Sequence, residues 1–578
     1  MGERDLRSTQ PGPARRDWRD AGPALVIALL LVALALARPP EPPASARGVA
    51  LVLEAQSLAR DLDLRFGVDD LERLRALPQG HSMEVLLAET GDTTAGAFSV
   101  PVPLVVPLAP FALLGGLRAV VIGCIVWTVL AMWLAARTLR QRLDTPWRLL
   151  VVFLFGSVAL VYLFEPRPEV LALAAVVAAF ALAYRSETPS FQELPEIFDR
   201  PQTLADPRFA GRWLAVGLLL GLAALVHPLH LALAVPAALA LPSQHRRGGR
   251  VLLAVGVAAT LALAVGGALF LGGALPWVSP LVVVDSGSLP PEPGAFYGGG
   301  FVPSILSGFG PLLDLPLVAW NALFFVAGQS VGLAAYCLPL LLALALWEPA
   351  AGRSTLVVTA LVVGVAAFLG WPFDFAGDAS LGNAWWLPAY GALWLAPTRR
   401  TGWVAPLALA ALAGLALWPS WLGTVGLRPG IASTGAPVAP LVARWLPVET
   451  TLRPVGQDFV SQGDVRVFLA GGAVSERRGR LFLGGGRWGS VVIASPRPLD
   501  RLLLAFDGQA GAELDVVGGE LGNTMFQPDG GVGFEIVLPE SPRRHPMWWS
   551  SHSQSLYDLK LRLPGAAPIP VAFRLGGG

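Results

Sequence analysis

Four aspartates, Asp61, Asp63, Asp69 and Asp70, share one polar stretch in the first loop after the first apolar segment, with Glu54 just upstream. Carboxylates beside a bilayer can take the proton of an acceptor hydroxyl or hold a divalent cation against a phosphate leaving group. Oxygen-only ligands would select Mg²⁺ or Mn²⁺. Asp61, Asp63 and Glu165 are the carboxylates such an ion would draw on, although the sequence by itself assigns neither a metal nor another cofactor. The competing reading of the stretch is a solvated connection.

Further polar groups recur at the edges of apolar segments. Glu165, Arg167 and Glu169 occupy a proline-bearing turn, and an arginine there can neutralise a phosphate. His227 and His230 flank Pro228 in another turn, while Asn383 and Trp385 open a late apolar segment behind Asp374 and Asp378. Tyr297 precedes three glycines in a long loop. Glu165, Arg167, Glu169, His227 and Asn383 are candidate contacts to a donor phosphate. Tyr297, Asp374, Asp378 and Trp385 are candidate contacts to a sugar or acceptor. The bland alternatives are a hairpin cap for Glu165–Glu169 and a helix-ending His-Pro for His227. Charges at membrane depth are costly enough to ask for a reason.

Composition says what must position these groups. The chain is 54% hydrophobic and 14% charged, against about 25% charged in ordinary soluble domains, and its mean hydropathy is +0.58. This is the profile of an integral membrane protein. A net charge of +1 gives no basis for a nucleic-acid partner. Lys560 is the sole lysine; arginine dominance with abundant Ala, Gly and Pro is a coding bias of GC-rich bacterial genomes. Cys124 and Cys337 lie in apolar segments and read as packing residues rather than a disulfide.

A helix needs about 20 apolar residues to cross the hydrocarbon core. Eleven spans are expected, at 22–38, 117–136, 147–164, 168–184, 212–227, 228–242, 250–272, 331–347, 355–371, 384–397 and 403–422. Arginines mark alternate loops: Arg137, Arg140 and Arg142; Arg185, Arg200 and Arg208; Arg246, Arg247 and Arg250; Arg353; Arg399 and Arg400. With Arg15, Arg16 and Arg19 in the tail 1–21, the positive-inside rule puts the N-terminus in the cytoplasm of a bacterial inner membrane. The membrane domain is then 22–422, and its external loop 39–116 carries the aspartates. Within that loop, 48–60 reads as an interfacial helix, and the proline-rich 100–116 as a surface-lying or re-entrant element.

After a linker at 423–445 the pattern changes. Eight short runs between 446 and 578 (465–469, 480–483, 490–494, 502–506, 512–517, 533–538, 555–563 and 571–575) read as strands divided by turn residues, hence a periplasmic β-sandwich or jelly roll. Trp488, Trp548, Trp549 and Tyr557 are either a sugar-stacking platform or core.

Four stretches together resemble the polytopic GT-C glycosyltransferases, the class of protein O-mannosyltransferases and lipid A aminoarabinose transferases. Ala55-Gln-Ser-Leu-Ala-Arg-Asp-Leu-Asp-Leu64 is similar to an A-x-S-L-x-x-D-G-D-L stretch. Pro101–Gly116 resembles the proline-rich segment before the next span, Glu165–Glu169 the next external turn, and Gly382-Asn-Ala-Trp-Trp-Leu-Pro388 a G-N-R-Y-F-L-P stretch. The resemblance implies a polyprenyl-phosphate sugar donor, chemistry on the periplasmic face and inverting transfer to an envelope acceptor. It also marks departures: Arg47-Gly48 stands where the family carries an acidic pair, and Ala384 where it carries a basic residue. A catalytically inactive relative that binds lipid-linked glycan, or scaffolds envelope assembly, is the second reading. A transporter or flippase ranks third, because the polar groups gather at one face and no internal repeat is evident. In the expected topology a periplasm-active reporter fused at residue 300 is active and one fused at residue 245 is silent; the reverse pattern overturns the orientation.

Overall fold

The computed structural model describes residues 13–38, 46–77, 84–88, 96–140, 143–184, 207–241, 246–275, 277, 279, 281–285, 315–328, 332–347, 382–399, 401–424, 438–443 and 445–447, and the strands with their short flanks between 460 and 576. Its first half is a helical bundle. The helices are α1 (Pro13–Ala37), α2 (Ala46–Arg60), α3 (Val68–Ala76), α4 (Val102–Val105), α5 (Ala109–Leu139), α6 (Pro146–Phe155), α7 (Val158–Phe164), α8 (Pro168–Tyr184), α9 (Pro207–Val226), α10 (Ala234–Leu239) and α11 (Arg246–Leu271). Later come α12 (Leu315–Ala327), α13 (Leu333–Tyr336), α14 (Leu340–Ala345), α15 (Leu387–Leu393) and α16 (Val404–Thr424).

Among the described residues four helices are long and apolar enough to cross a bilayer: α5, α9, α11 and α16. A fifth crossing is formed if α6 and α7, bent by 71° at Gly156-Ser157, count as one. The protein is a helical membrane protein, but fewer expected spans are continuous helices than the hydropathy suggests. The segments 22–38 and 168–184 are apolar helices of 17 residues. The segment 228–242 divides into a 3-10 turn, Pro228–Leu233, and the six-residue α10. Segments 331–347 and 384–397 contain only short helices. Pro228, Pro236, Pro339 and Pro388 sit at these interruptions, and each removes a backbone donor that a continuous helix would use. The expected span 355–371 lies outside the described residues.

α8 is the hub. Nearly every residue from Pro168 to Tyr184 is buried, as its uniformly apolar sequence requires, and it packs on α5, α9 and α15. The partnership of α9 with α11 rests on small residues. A Cβ added at Gly217 would collide with the Leu253 carbonyl oxygen, and one at Gly256 with the Leu214 carbonyl oxygen. One turn on, Thr260 Oγ1 donates to Leu218 O across the same seam at 3.0 Å. Backbones at this separation exploit dispersion and weak polar contacts where no hydrophobic drive acts between helices.

The first loop is not a surface appendage. α2 is buried from Val49 to Ser57 around its whole circumference, so the interfacial helix expected there is a core element instead. The proline-rich segment forms α4 and the start of α5, broken at Gly115 and Gly116 with φ of 159° and 44°; Leu113 and Leu114 before the break are exposed. A small antiparallel sheet roofs this region. Its order is β1 (Arg65–Phe66), β3 (Gly96–Phe98), β2 (Glu84–Ala88), β4 (Leu281–Asp285), with Glu84 opposite Asp285 and Ala88 opposite Leu281.

The described strands between 460 and 576 form two antiparallel sheets, and the expected strand runs fall on them, although 512–517 is strand only at Asp515–Val517. Alternating residues of one sheet (Val491, Ile493, Tyr557, Leu559, Leu561) and of the other (Leu502, Leu504, Phe506, Phe534, Ile536) belong to a single buried cluster. Tyr557 is 1% exposed and its hydroxyl accepts the Leu499 N–H at 2.7 Å. It is a core residue, not part of a sugar platform; Trp488, Trp548 and Trp549 lie outside the described residues.

Gly217→Val should separate α9 from α11 and cost about 1–3 kcal/mol, the usual price of overpacking. Gly266→Val, on the same α11 with nothing within 4 Å of the new Cβ, should stay within about 0.5 kcal/mol of wild type. Unfolding in mixed detergent micelles measures both, and equal effects would contradict the seam.

Candidate functional site

The last carbonyls of an α-helix have no partner within the helix. α9 ends inside the bundle, and side chains from three other places supply its donors. His230 Nδ1 donates to Ala223 O at 2.9 Å, Trp277 Nε1 to Ala224 O at 3.1 Å, and Arg47 Nη2 to Val226 O at 3.2 Å. Cations are favoured at this end of a helix dipole. Arg47 reaches it from the first turn of α2, and its Nη1 also lies 3.3 Å from Glu169 Oε1 in the first turn of α8. One guanidinium thus joins α2, α8 and α9.

More charge surrounds this junction. Arg38, just after α1, donates to Phe164 O at 3.4 Å, so it caps α7. Arg118 donates to Arg38 O at 3.1 Å. Arg167 stacks over the Tyr162 ring, 4.8 Å from its centroid. Glu165, Arg167, Glu169, His227 and His230 are all under 9% exposed. Glu169 Oε2 is buried with no hydrogen-bond partner among the described residues. His227 Nδ1 accepts the Leu229 N–H at 3.3 Å, which puts the proton of the neutral ring on Nε2. His230 instead carries a proton on Nδ1, because that atom faces a carbonyl. The two rings are 5.9 Å apart.

The aspartates form a separate group. Arg73 pairs with Asp61 at 2.5 Å and with Asp70 at 2.8 Å. Asp70 also accepts the Gly67 N–H at 3.1 Å, closing the first turn of α3. Asp63 accepts from Ser57 Oγ at 2.9 Å, and Asp69 is exposed. Burial raises the Asp70 carboxyl to about 6; the Gly67 N–H and Arg73 oppose the rise, and the neighbouring Asp63 and Asp61 add to it. Leu62, between the paired aspartates, has φ of 58°, a left-handed conformation that side chains beyond Gly, Asn and Asp rarely take.

The sequence expected these groups to converge on one cleft. The structure puts them at opposite ends of α2 instead. Arg47 and Asp61 are separated by about 21 Å along a helix that rises 1.5 Å per residue. Glu54 lies midway, fully buried, with Oε2 accepting the Val100 N–H at 3.2 Å and Oε1 without a partner among the described residues. Burial pushes its carboxyl well above the ordinary value, against the smaller effect of the Val100 N–H. Asn383 is also fully buried, at φ 53°, with neither amide atom hydrogen-bonded among the described residues; its neighbour Gly382 packs against Tyr336 and Val158. Trp385 lies in the short 3-10 turn that follows. Tyr297, Asp374 and Asp378 fall outside the described residues.

Among the described residues, no three His, Cys, Asp or Glu stand together as a metal would require. Asp61, Asp63 and Glu165 are therefore not gathered into the ligand set considered for Mg²⁺ or Mn²⁺. Cys124 and Cys337 are both buried free thiols. Sequence reasoning overlooked Arg38, Arg47 and Arg73 as partners. Arg73 was readable, being three residues after Asp70 on a helix; the contacts of Arg38 and Arg47 span more than a hundred residues and leave no local trace.

The chain matches no protein-family model, no curated protein and no solved structure.

The folded-state value of Asp70 lies above the ordinary 3.8. Its contribution to stability is therefore complete below pH 3.8 and is lost as pH rises through about 6. The thermal midpoint of wild type, taken relative to that of Asp70→Asn, should fall as pH rises from 3.8 and level off above about 6. A flat difference would contradict this assignment.

Proposed function

We propose that this chain is a GT-C-type membrane glycosyltransferase that moves a sugar from a polyprenyl-phosphate donor to an envelope acceptor on the periplasmic face. The observation that carries the reading is the junction of Arg47, Glu169 and the end of α9, with Arg38 and Arg167 beside it. Buried Arg38 and Arg167 and the part-buried Arg47 stand beside the buried Glu165 and Glu169, a guanidinium-rich setting of the kind that recognises a lipid-linked phosphate. The motif resemblance has one backbone echo. Leu62 takes the left-handed conformation at the position where the A-x-S-L-x-x-D-G-D-L stretch has glycine.

In this reading the arginines hold the donor phosphate, and Glu169 Oε2 takes the proton of the acceptor hydroxyl. The acceptor oxygen forms its bond to the anomeric carbon from the face opposite the phosphate. The anomeric carbon–oxygen bond to the phosphate breaks, and the electron pair leaves with the polyprenyl phosphate. One displacement inverts the anomeric centre. Asp61, Asp63 and Asp70, tied to Arg73 and Ser57, then hold the shape of the first loop. Eleven crossings and a two-sheet sandwich outside the cytoplasm complete the architecture.

A second reading is favoured by Arg47 itself. It stands where the family has an acidic pair, and its pairing with Glu169 would suit a protein that binds a lipid-linked glycan without transferring it.

Glu169→Gln should lower transfer from a polyprenyl-phosphate sugar by at least about 100-fold, the lower range for loss of a general base, with donor binding retained. Loss of activity in Asp61→Asn and Asp63→Asn, with Glu169→Gln fully active, would move the chemistry to the first loop. Wild type that binds polyprenyl phosphate but transfers from no donor in a broad panel would establish the binding protein instead.

A further inference from the structure

The chain turns back on α16 after leaving it. Ala439 N–H donates to Ala416 O at 2.9 Å, so a segment that follows the helix in sequence lies against its side. Ala416 stands about 12 Å short of Thr424, the end of α16, at 1.5 Å per residue. Pro419 makes this turn receptive. It has no N–H to offer Leu415 O and disturbs the local ladder, and the adjoining carbonyl takes a donor from outside.

The composition of the returning segment suits that depth. Residues 438–447 read Val-Ala-Pro-Leu-Val-Ala-Arg-Trp-Leu-Pro, with Arg444 the one charge. Val438 and Ala439 are buried, and Val442 and Leu446 pack on the core of the helical bundle. Unpaired backbone donors are costly in hydrocarbon. Pro440 and Pro447 have no N–H, the Ala439 N–H has Ala416 O, and the Trp445 N–H donates to Val442 O at 3.0 Å. Pro440–Ala443 closes into one helical turn.

The outer side of the segment is bare. Leu441 is 71% exposed and Trp445 84%. On α16 itself Leu412 is exposed and Leu415, next to the contact, is 65% exposed. α16 is long and apolar enough to cross a bilayer, yet only 33% of its apolar window is buried. Leucines exposed on such a helix meet acyl chains, and Leu441 follows closely on the hydrogen bond that sets the segment at the level of Leu415 and Ala416. Tryptophan is the residue type that favours the boundary between chains and headgroups.

We propose that residues 438–443, with Trp445, form a shallow wedge inside the leaflet at the C-terminal end of α16, where Leu441 meets acyl chains and Trp445 the headgroup boundary. The connection expected at 423–445 then ends in lipid, and the two-sheet domain is held to the membrane by lipid contacts as well as by the chain. The proposal rests on α16 crossing the membrane and is independent of the glycosyltransferase reading.

The test uses the full chain in vesicles of phosphatidylethanolamine and phosphatidylglycerol, with a nitroxide attached at Leu441→Cys or at Trp445→Cys. Its relaxation is followed with oxygen, which concentrates in hydrocarbon, and with a nickel chelate, which stays in water. The native Cys124 and Cys337 are buried, so wild type serves as the labelling blank. Leu415→Cys on α16 is the lipid reference, and Glu513→Cys, exposed in the two-sheet domain, is the water reference. The label at 441 should match the lipid reference. The label at 445 should shift toward nickel and away from oxygen without reaching the water reference. A label at either position that matches the water reference overturns the wedge. Protection from both reagents would mean that the two-sheet domain or a second copy covers the segment, and overturns it too. Nickel-dominated relaxation at Leu415→Cys would take α16 out of the membrane, and the proposal with it. Leu441 and Trp445 are both exposed, so their replacement removes no buried contact and each position reports without the other.

Discussion

A helix that ends inside a protein in a bilayer must find donors for its last carbonyls, because no water is there to supply them. α9 meets that demand with a histidine, a tryptophan and an arginine drawn from three places in the chain. Arg47 brings a full charge to this end, and a largely buried charge needs a counter-charge. Glu169 provides it, and α8, buried along almost its whole length, is thereby tied to α2 and α9. This one guanidinium holds the start of α2, the start of α8 and the end of α9 together. The same demand explains Arg38, which caps α7 on the adjoining turn. A polar cluster that resembles a binding site is thus also what allows three helices to end at one level.

Where the chain obeys local rules, the sequence was legible. Alternation of apolar residues marked Leu502–Phe506 and Ser555–Leu563 as strands with one buried face, and the same residues fill the core shared by the two sheets. The strand Glu520–Phe526 escaped notice because Gly522 and Asn523 interrupt its apolar pattern and a register shift falls between Leu521 and Thr524. Hydropathy located the apolar segments but could not tell a continuous helix from a broken one. The 71° bend at Gly156-Ser157 and the 3-10 turn after His227 lie inside runs that read as uniformly apolar.

The site was legible as a list of residues and illegible as a constellation. Aspartates adjacent in sequence were expected to act with Glu165 and Glu169, yet α2 intervenes as a rigid spacer between the two groups. Residue type predicted the demand for partners correctly, since Asp61 and Asp70 both carry ion pairs. What sequence spacing could not convey is that Arg73 satisfies both locally, while Arg47 reaches 122 residues to Glu169.

The pairing of β2 with β4 bears on the order of assembly. Glu84 lies opposite Asp285, so the roof over the first loop gains its edge strand only after some two hundred further residues have been made. At about 5–20 residues per second, β2 waits on the order of 10 seconds or more for its partner while α5 to α11 are made. Until then β2 presents an unpaired edge, which other chains could engage. The outer layer is therefore the last part of this half of the molecule to close, and its closure registers that the helices between have already been laid down.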